Sequence, residues 1–198
     1  MIYLKNIFKH FFTICKHKKA VLYFGKRLRI RWRAFFHDFS KFSPFEFFES
    51  VKYYNGVRSP IDVCKQINGY SKAWMHHKGR NPHHYEYWID NLDNGGIPID
   101  MPYKYKIELL CDYLAAGYTY SGGKCTFRDE YRWWLNKSSK PLLMHENTKK
   151  FLTETFQFLD TYFGDQTLKA LDSLCWKIIQ DQINLIIKSQ KVLYIYLI

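Results

Sequence analysis

HDFSKFSPFE, which begins at His37, is the stretch of sequence that decides the fold. It places Ser43 as an N-cap, Pro44 at the first helical position and Glu46 at the third, which is the pattern of a capping box. A helix is therefore expected to begin at Pro44, and His37 and Asp38 fall at the end of the helix before it. An imidazole and a carboxylate side by side at a tight connection are ligands that suit a catalytic metal site.

Outside this stretch, apolar residues recur at helical spacing and no alternating strand pattern persists. On the N-terminal side, Ile14, His17 and Val21 share one helix face, so His17 is expected to point inward. The predicted helices cover about 5–24, 26–38, 44–54, 71–78, 82–88, 131–135, 147–163 and 166–189, and another begins at Pro102. The fold is therefore predicted to be all-α.

The length and composition indicate a globular chain with one core. A length of 198 residues favours one domain, and hydrophobic residues at 47% with aromatic residues at 19% are too many for a disordered chain. We expect a helical domain over residues 1–155 and a C-terminal helical extension over residues 156–198.

The net charge of +12 is the strongest bias in the composition. Such a charge attracts polyanions or phosphorylated small molecules before any specific contact forms. The excess is concentrated in the first 33 residues, and it is interpreted either as a solvated helix face or as a phosphate-binding surface. The basic residues there include Lys16, Lys18, Lys19, Lys26, Arg27, Arg29, Arg31 and Arg33.

The cysteines and the two ends of the chain bear on its location. Five scattered cysteines without a C-x-x-C pair suggest neither a disulfide framework nor a thiolate zinc site, so a reducing cytoplasm is expected. Lys9, His10 and Lys16 interrupt the apolar N-terminus, which argues against a signal peptide. Charged residues also interrupt the stretch that ends in VLYIYLI, so no transmembrane helix is predicted.

Histidines cluster again downstream of the HD pair. His77 closes a predicted helix, Gly79 can end it, and Asn81 with Pro82 can cap and begin the next. In that arrangement His83 and His84 lie in the first turn of the second helix, and their imidazoles can converge with that of His77. Further along the chain, Asp112 and Glu108 lie one turn apart beside the apolar face of the helix that begins at Pro102.

These residue types fit a divalent metal centre. Imidazole nitrogen and carboxylate oxygen ligands are available from His17, His37, Asp38 and Asp112, and further histidines allow a second ion. Two ions can clamp an attacking hydroxide and a phosphate oxygen, and a bound water has its pKa lowered towards about 7. Hydrolysis of a phosphoester is the reaction that follows from such a site.

Each residue also has a less specific interpretation. A single histidine is more often a capping, packing or surface residue than a ligand, so the case rests on the whole series. Lys41 can orient Asp38, hold a substrate phosphate or be merely solvated. Asn81 is assigned mainly to helix capping, with a supporting contact to a ligand as its second role, and Glu86 either supports a ligand or is solvated.

HDFSKFSPFEF, AWMHHKGRNPHHYEYW and MPYKYKIELLCDYLAAGYTYSG together closely resemble an uncharacterised family of small HD-like proteins of bacteria and their phages. The marks of that family are HD-x-SKF, then H-x-x-x-N-x-HH, then a later Asp before small residues. The resemblance covers about residues 17–155. It implies an HD-domain-like helical bundle whose metal is held by the residues at His17, His37, Asp38, His77, His83 or His84, and Asp112. The wider HD superfamily consists of metal-dependent phosphohydrolases.

The first functional hypothesis is a metal-dependent phosphohydrolase that acts on a nucleotide or related phosphorylated metabolite. It would use one or two divalent ions (Mn, Fe, Zn, Ni or Co), with Asp38 and Lys41 as catalytic residues. The second is a noncatalytic basic module that binds nucleic acid or a protein partner. A histidine-metal nuclease of the HNH type ranks last, because its parts need a hairpin and a helix between them.

Overall fold

The computed structural model describes residues 2–195, and the side chains of residues 4–190. Within these residues the protein is all-α, as predicted. Its α-helices are α1 Ile2–Arg27, α2 Arg31–Phe36, α3 Pro44–Lys52, α4 Pro60–Asn68, α5 Lys72–Lys78, α6 Tyr103–Tyr120, α7 Phe127–Ser138, α8 Glu146–Phe163 and α9 Ser173–Ile195. Short 3₁₀ helices lie at Phe39–Phe42, Tyr85–Trp88 and Leu92–Asn94, and β1 Ile89–Asp90 pairs antiparallel with β2 Ile97–Pro98.

One apolar core joins the N-terminal and C-terminal helices. α1 packs along α6, α7 packs along α8, and α9 contacts both α1 and α8. Phe24 of α1, Leu110 of α6, Trp134 of α7, Phe156 of α8 and Trp176 of α9 are all buried in it. Residue 155 falls inside α8, and the division into a domain over 1–155 and an extension over 156–198 stays a prediction.

The first two helices are separated by a backbone break that the sequence pattern does not reveal. α1 is longer than the predicted 5–24, and α2 begins at Arg31 rather than near residue 26. Arg29 has a φ of 59°, a left-handed conformation that interrupts the helix between them. α2 then folds back against α1, where Ala34 packs against Gly25.

The helix predicted over 82–88 is wrong. After α5, the chain turns at Asn81 and Pro82, and only the 3₁₀ helix Tyr85–Trp88 follows. The Asn81 side chain donates to the carbonyl oxygen of His77 at 2.7 Å, so it caps the end of α5 rather than the start of another helix. His83 and His84 therefore lie in a turn.

In the C-terminal half, two helix boundaries differ from the prediction. α7 is longer than the predicted 131–135, because Thr126 and Asp129 form a capping box that begins it earlier. α9 begins at Ser173 rather than at residue 166. α8 confirms the helix predicted over 147–163, and α6 confirms the one that begins at Pro102.

None of the helices in the described residues is both long enough and apolar enough to cross a membrane. The last residues of the VLYIYLI segment, 196–198, lie outside the described residues, so that part of the prediction is not tested. All five cysteines are free, as expected from their spacing.

Candidate metal centre

The HD pair lies at the end of α2, in a connection that neighbouring elements hold in place. Lys18 of α1 donates to the carbonyl oxygens of Phe35 and His37, which are unpaired at the end of the helix. Asp38 has a φ of 56°, in the left-handed region that Asp and Asn tolerate better than most residues. The turn directs both the imidazole of His37 and the carboxylate of Asp38 into the interior, where they are 2% and 1% exposed.

The Asp38 carboxylate is the centre of a cluster of imidazole nitrogens. Its Oδ2 lies 3.1 Å from Nε2 of His37 and 3.8 Å from Nε2 of His17. Its Oδ1 lies 3.2 Å from Nε2 of His77 and 3.4 Å from Nε2 of His83. The two oxygens of one carboxylate thus face two different sets of nitrogens.

Two groups of side chains within the described residues have potential ligand atoms within 4.8 Å of one another and share Asp38. The structure brings together all seven side chains that the sequence singled out as metal ligands. One group contains His17, His37, Asp38 and Asp112, and the other contains Asp38, His77, His83 and His84.

The hydrogen bonds of the cluster are incomplete in a way that fits a cation. Three buried atoms, the two carboxylate oxygens of Asp38 and Nε2 of His83, have no well-aligned hydrogen-bond partner among the described residues. Nε2 of His77 and Nε2 of His84 are only 2.9 Å apart. Buried carboxylate oxygens and imidazole nitrogens that converge in this way are costly unless positive charge lies among them, and a metal ion would supply that charge. The residues present therefore fit one or two divalent metal ions.

Glu46 and Glu108 lie just outside this cluster and orient its histidines. Nδ1 of His77 donates to Glu46 at 2.8 Å, and Nδ1 of His37 lies 3.2 Å from Glu108. When Nδ1 carries the proton, the lone pair of Nε2 faces Asp38. Carboxylates bonded to the second nitrogen of a ligating histidine fix its tautomer and raise its basicity. His37, His83 and Glu108 form a third group of neighbouring atoms, and in it we interpret Glu108 as the residue that orients the two histidines.

The sequence assigned Glu46 to a different role. The predicted capping box is only half formed: Ser43 accepts from the backbone N–H of Glu46, but the Glu46 carboxylate turns away to His76 and His77. Because a glutamate at that helix position satisfies the local pattern, its tertiary role was missed. The spacing of Glu108, one turn from Asp112, was the available signal for the other carboxylate.

Lys41 and Asn81 are both part of the site. The ammonium group of Lys41 forms an ion pair with Oδ2 of Asp38, so the solvated interpretation of Lys41 is wrong. Asn81 donates to the hydroxyl oxygen of Ser40 at 2.9 Å, and this hydroxyl lies 3.1 Å from Nδ1 of His77. Asn81 therefore has both of the roles considered for it, since the same side chain also caps the end of α5.

The charges in the cluster favour an ionised carboxylate. Burial opposes ionisation of Asp38, but the charges of His37, Lys41 and His77 outweigh it and hold its pKa well below the usual range. Glu108 has its pKa lowered to about 2, because its hydrogen bonds to His37 and His83 outweigh burial. These carboxylates are therefore anionic near neutral pH.

The imidazoles divide into two kinds. Burial, together with the neighbouring His83 and His77, holds the pKa of His84 well below its usual value, and burial with His37 lowers the pKa of His83. Burial also lowers the pKa of His37, but Asp38 and Asp112 outweigh it and raise the pKa well above the usual value. A cation that binds to His37 must therefore displace a proton, which makes its affinity fall at acid pH.

A half-enclosed cavity of about 240 Å³ opens onto the cluster. His17, His77, His84 and Asp112 form part of its wall, and Lys41 lies beside them. The remaining wall is both cationic and aromatic, with Lys65, Lys137, Trp74, Tyr85, Tyr113, Tyr120 and Trp133. A larger groove of about 440 Å³ lies between α8 and α9 and is lined by no histidine.

Three other polar side chains lie near the cluster without joining it. His76 donates to Glu46 at 2.6 Å but belongs to neither group of potential ligands. His10 also lines the cavity, where burial and Lys41 lower its pKa to about 4. Glu86 lines the cavity, and the described residues contain no hydrogen bond between it and a candidate ligand histidine, so the supporting role considered for it stays a prediction.

Comparison with known proteins identifies a family but no activity. No curated protein and no solved structure is significantly similar to this chain. A family of unknown function, DUF5662, matches residues 6–158, a range that contains all seven candidate ligands. Since the match spans well over half of its 198 residues, the chain belongs to the DUF5662 family.

Proposed function

We propose that this protein is a metal-dependent phosphohydrolase that acts on a small phosphorylated metabolite of the nucleotide class. The observation that carries the proposal is the position of Asp38, whose two oxygens face two sets of buried histidine nitrogens. Membership in the HD superfamily, with Asp38 shared between two ion positions, is part of the same proposal. Divalent ions bound there would supply Lewis acidity and a water molecule of lowered pKa.

The residues of the chain hold this arrangement in advance. Glu46 and Glu108 fix the proton of His77 and His37 on Nδ1, and Lys41 keeps the Asp38 carboxylate ionised and oriented. Side chains that are positioned before substrate binds need no reorganisation during the reaction. The lysine is also close enough to the cavity to neutralise charge on a phosphate group.

The cavity supports a small substrate rather than a polymer. Its half-enclosed volume of about 240 Å³ has a size suited to a single small molecule, with the phosphate at the metal centre. Lys65 and Lys137 add positive charge farther along its wall. Asp62 and Glu86 line the same wall and balance these lysines, so the organic part of the substrate is expected to be polar but without large net charge.

The test compares the wild type with Asp38→Asn. Asn tolerates the left-handed backbone of residue 38, so this variant removes the charge without adding backbone strain. We expect the wild type to bind Mn²⁺ and to release phosphate from at least one small phosphomonoester. Asp38→Asn should lower kcat/KM by roughly a thousandfold, since losing the metal removes several kcal/mol of charge stabilisation.

The metal content per chain is measured by mass spectrometry, and folding is measured by circular dichroism. Phosphate release is measured on a panel of phosphoesters. Asp93→Asn, at an exposed position, is the matched control and should keep both metal and activity. Phosphate release that survives Asp38→Asn or a chelator would contradict the proposal. Stoichiometric metal with no turnover on the whole panel would favour the noncatalytic module instead.

A further inference from the structure

Phenylalanine rings, five of them exposed and one half-buried, contact one another across the surface of α1, α2 and the 3₁₀ helix Phe39–Phe42. We call them the phenylalanine patch; its members are Phe11, Phe12, Phe35, Phe36, Phe39 and Phe42. The contact between Phe11 and Phe42, with ring centroids 5.9 Å apart, joins α1 to the 3₁₀ helix. Phe12 and Phe36 are 66% and 64% exposed. A contiguous apolar surface of this kind marks an interaction site.

The patch continues along α1. Leu4 and Phe8 precede Phe12 at four-residue spacing and are 63% and 64% exposed, so they extend the same apolar stripe. On α2, Trp32 precedes Phe36 by one turn and is 68% exposed. The apolar surface therefore spans two helices and the connection that carries the HD pair.

Positive charge surrounds this surface. Residues 1–37 contain ten Lys and Arg and no Asp or Glu, and the first acidic residue, Asp38, is buried. Exposed cations on these helices and the break between them are Lys5, Lys9, Lys16, Lys19, Lys26, Arg29 and Arg31. The helices that carry the phenylalanine patch therefore have a strongly cationic surface.

We propose that the phenylalanine patch docks on an anionic phospholipid bilayer. Its rings would enter the boundary between headgroups and acyl chains, and the surrounding lysines and arginines would contact the phosphate groups. An apolar helix face bordered by Lys and Arg binds a lipid surface through buried apolar area together with attraction to anionic lipids. This docking does not require a membrane-spanning helix.

Two other occupants fit the surface less well. In a symmetric pair of chains, the same cations would meet across the interface, and like charges repel. A single-stranded nucleic acid needs flat ring faces on which bases stack. Within the patch, neighbouring rings instead meet at interplanar angles of 42° to 89°. The charge and the ring packing together favour a lipid surface.

The test is co-sedimentation of the full-length protein with vesicles of phosphatidylcholine alone or mixed with phosphatidylglycerol. We expect binding to the mixed vesicles, little binding to phosphatidylcholine, and partial release by salt. Phe8→Gln, Phe12→Gln and Phe36→Gln combined should lower the partition coefficient by about tenfold or more, because their apolar area is lost. Lys5→Gln with Lys9→Gln should lower it by about fivefold per charge.

The matched control makes the same three changes on exposed apolar residues of α9: Leu174→Gln, Ile178→Gln and Leu185→Gln. This control should bind mixed vesicles as the wild type does. Circular dichroism and metal content must be unchanged in all variants, which separates this proposal from the proposed function.

Three outcomes would overturn the proposal. The first is that the wild type does not sediment with mixed vesicles, and the second is that the patch and control variants sediment equally. The third is that the patch carries a different association, either a dimer seen by light scattering or binding of a single-stranded oligonucleotide. In that case the patch variant would abolish this association and still bind mixed vesicles.

Discussion

Asp38 combines a constrained backbone with a buried charge. Its left-handed φ of 56° turns the chain sharply after α2, and this turn aims the carboxylate at four imidazoles instead of at solvent. A residue other than Gly in this region costs free energy unless the surroundings hold it there. Lys18 and Lys41 supply that support, one at the end of α2 and the other at the carboxylate.

Glu130 is another buried carboxyl, and it belongs to none of the groups of potential ligands. It lies 4% exposed between Cys125, which donates to it at 3.2 Å, and Gly117, whose missing Cβ leaves room for it. Burial raises its pKa from 4.5 to about 7. The folded protein thus keeps this carboxyl protonated at pH values where the unfolded chain ionises it.

Glu130→Gln should therefore change how stability depends on pH. A raised pKa stabilises the folded state fully below pH 4.5, and this contribution is lost as the pH rises through about 7. The difference in free energy of unfolding between variant and wild type should grow by roughly 3 kcal/mol over that interval, in favour of Gln.

Chemical denaturation at several pH values measures this difference, with Glu146→Gln at an exposed position as the control. His10, whose pKa is lowered to about 4, has the opposite effect on stability in both proteins and cancels in the comparison. A difference between Glu130→Gln and the wild type that stays constant with pH would contradict the assignment.

At the scale of elements, the close approach of α1 and α2 sets the position of the HD pair. A Cβ built on Gly25 would lie 2.3 Å from the Cβ of Ala34, which is too close for two carbon atoms. Gly25 has an ordinary helical backbone, so the glycine is needed for packing and not for a special φ. The distance between the two helices therefore depends on the missing side chain.

Gly25→Ala should destabilise the protein even though alanine is the better helix former. The gain in helix propensity is about 1 kcal/mol, while overpacking costs about 1–3 kcal/mol. Adding Ala34→Gly should recover most of the loss, because it removes the opposing methyl group. Urea denaturation provides the measurement, and a single variant more stable than the wild type would refute the packing argument.

Most helices could be predicted from the sequence, because apolar spacing reports which face is buried. The failure at 82–88 has a specific cause: the side chain of Asn81 bonds backwards to His77 and Ser40, and periodicity cannot distinguish this from a forward cap. The role of Glu46 was missed for a similar reason, since a local capping pattern and a tertiary contact use the same residue.

The clustering of the candidate ligands could be predicted because adjacent or clustered histidines and acids are conspicuous in sequence. Spacing cannot provide the arrangement of atoms. The packing of α2 near α6 determines which nitrogen of His37 faces Asp38 and which one contacts Glu108. The convergence of His83 and His84 with His77 was expected from two helix ends, and a turn produces it instead.

At the scale of the whole molecule, the candidate centre gathers side chains from separate parts of the chain. His17 comes from α1, Asp38 from the connection after α2, His77 from α5, His83 from the following turn and Asp112 from α6. An ion that binds all of these elements at once couples metal binding to folding. The same assembly places the phenylalanine patch on the outer surface of the elements that carry the HD pair.

Anomalous diffraction from crystals of the Mn²⁺-loaded protein tests the central claim most directly. We predict two peaks about 3.5–4 Å apart, on the two sides of the Asp38 carboxylate. One should lie within bonding distance of His17, His37 and Asp112, and the other within bonding distance of the remaining ligands, His77, His83 and His84. Loaded crystals with no peak at Asp38, or with manganese bound only elsewhere, would contradict the account.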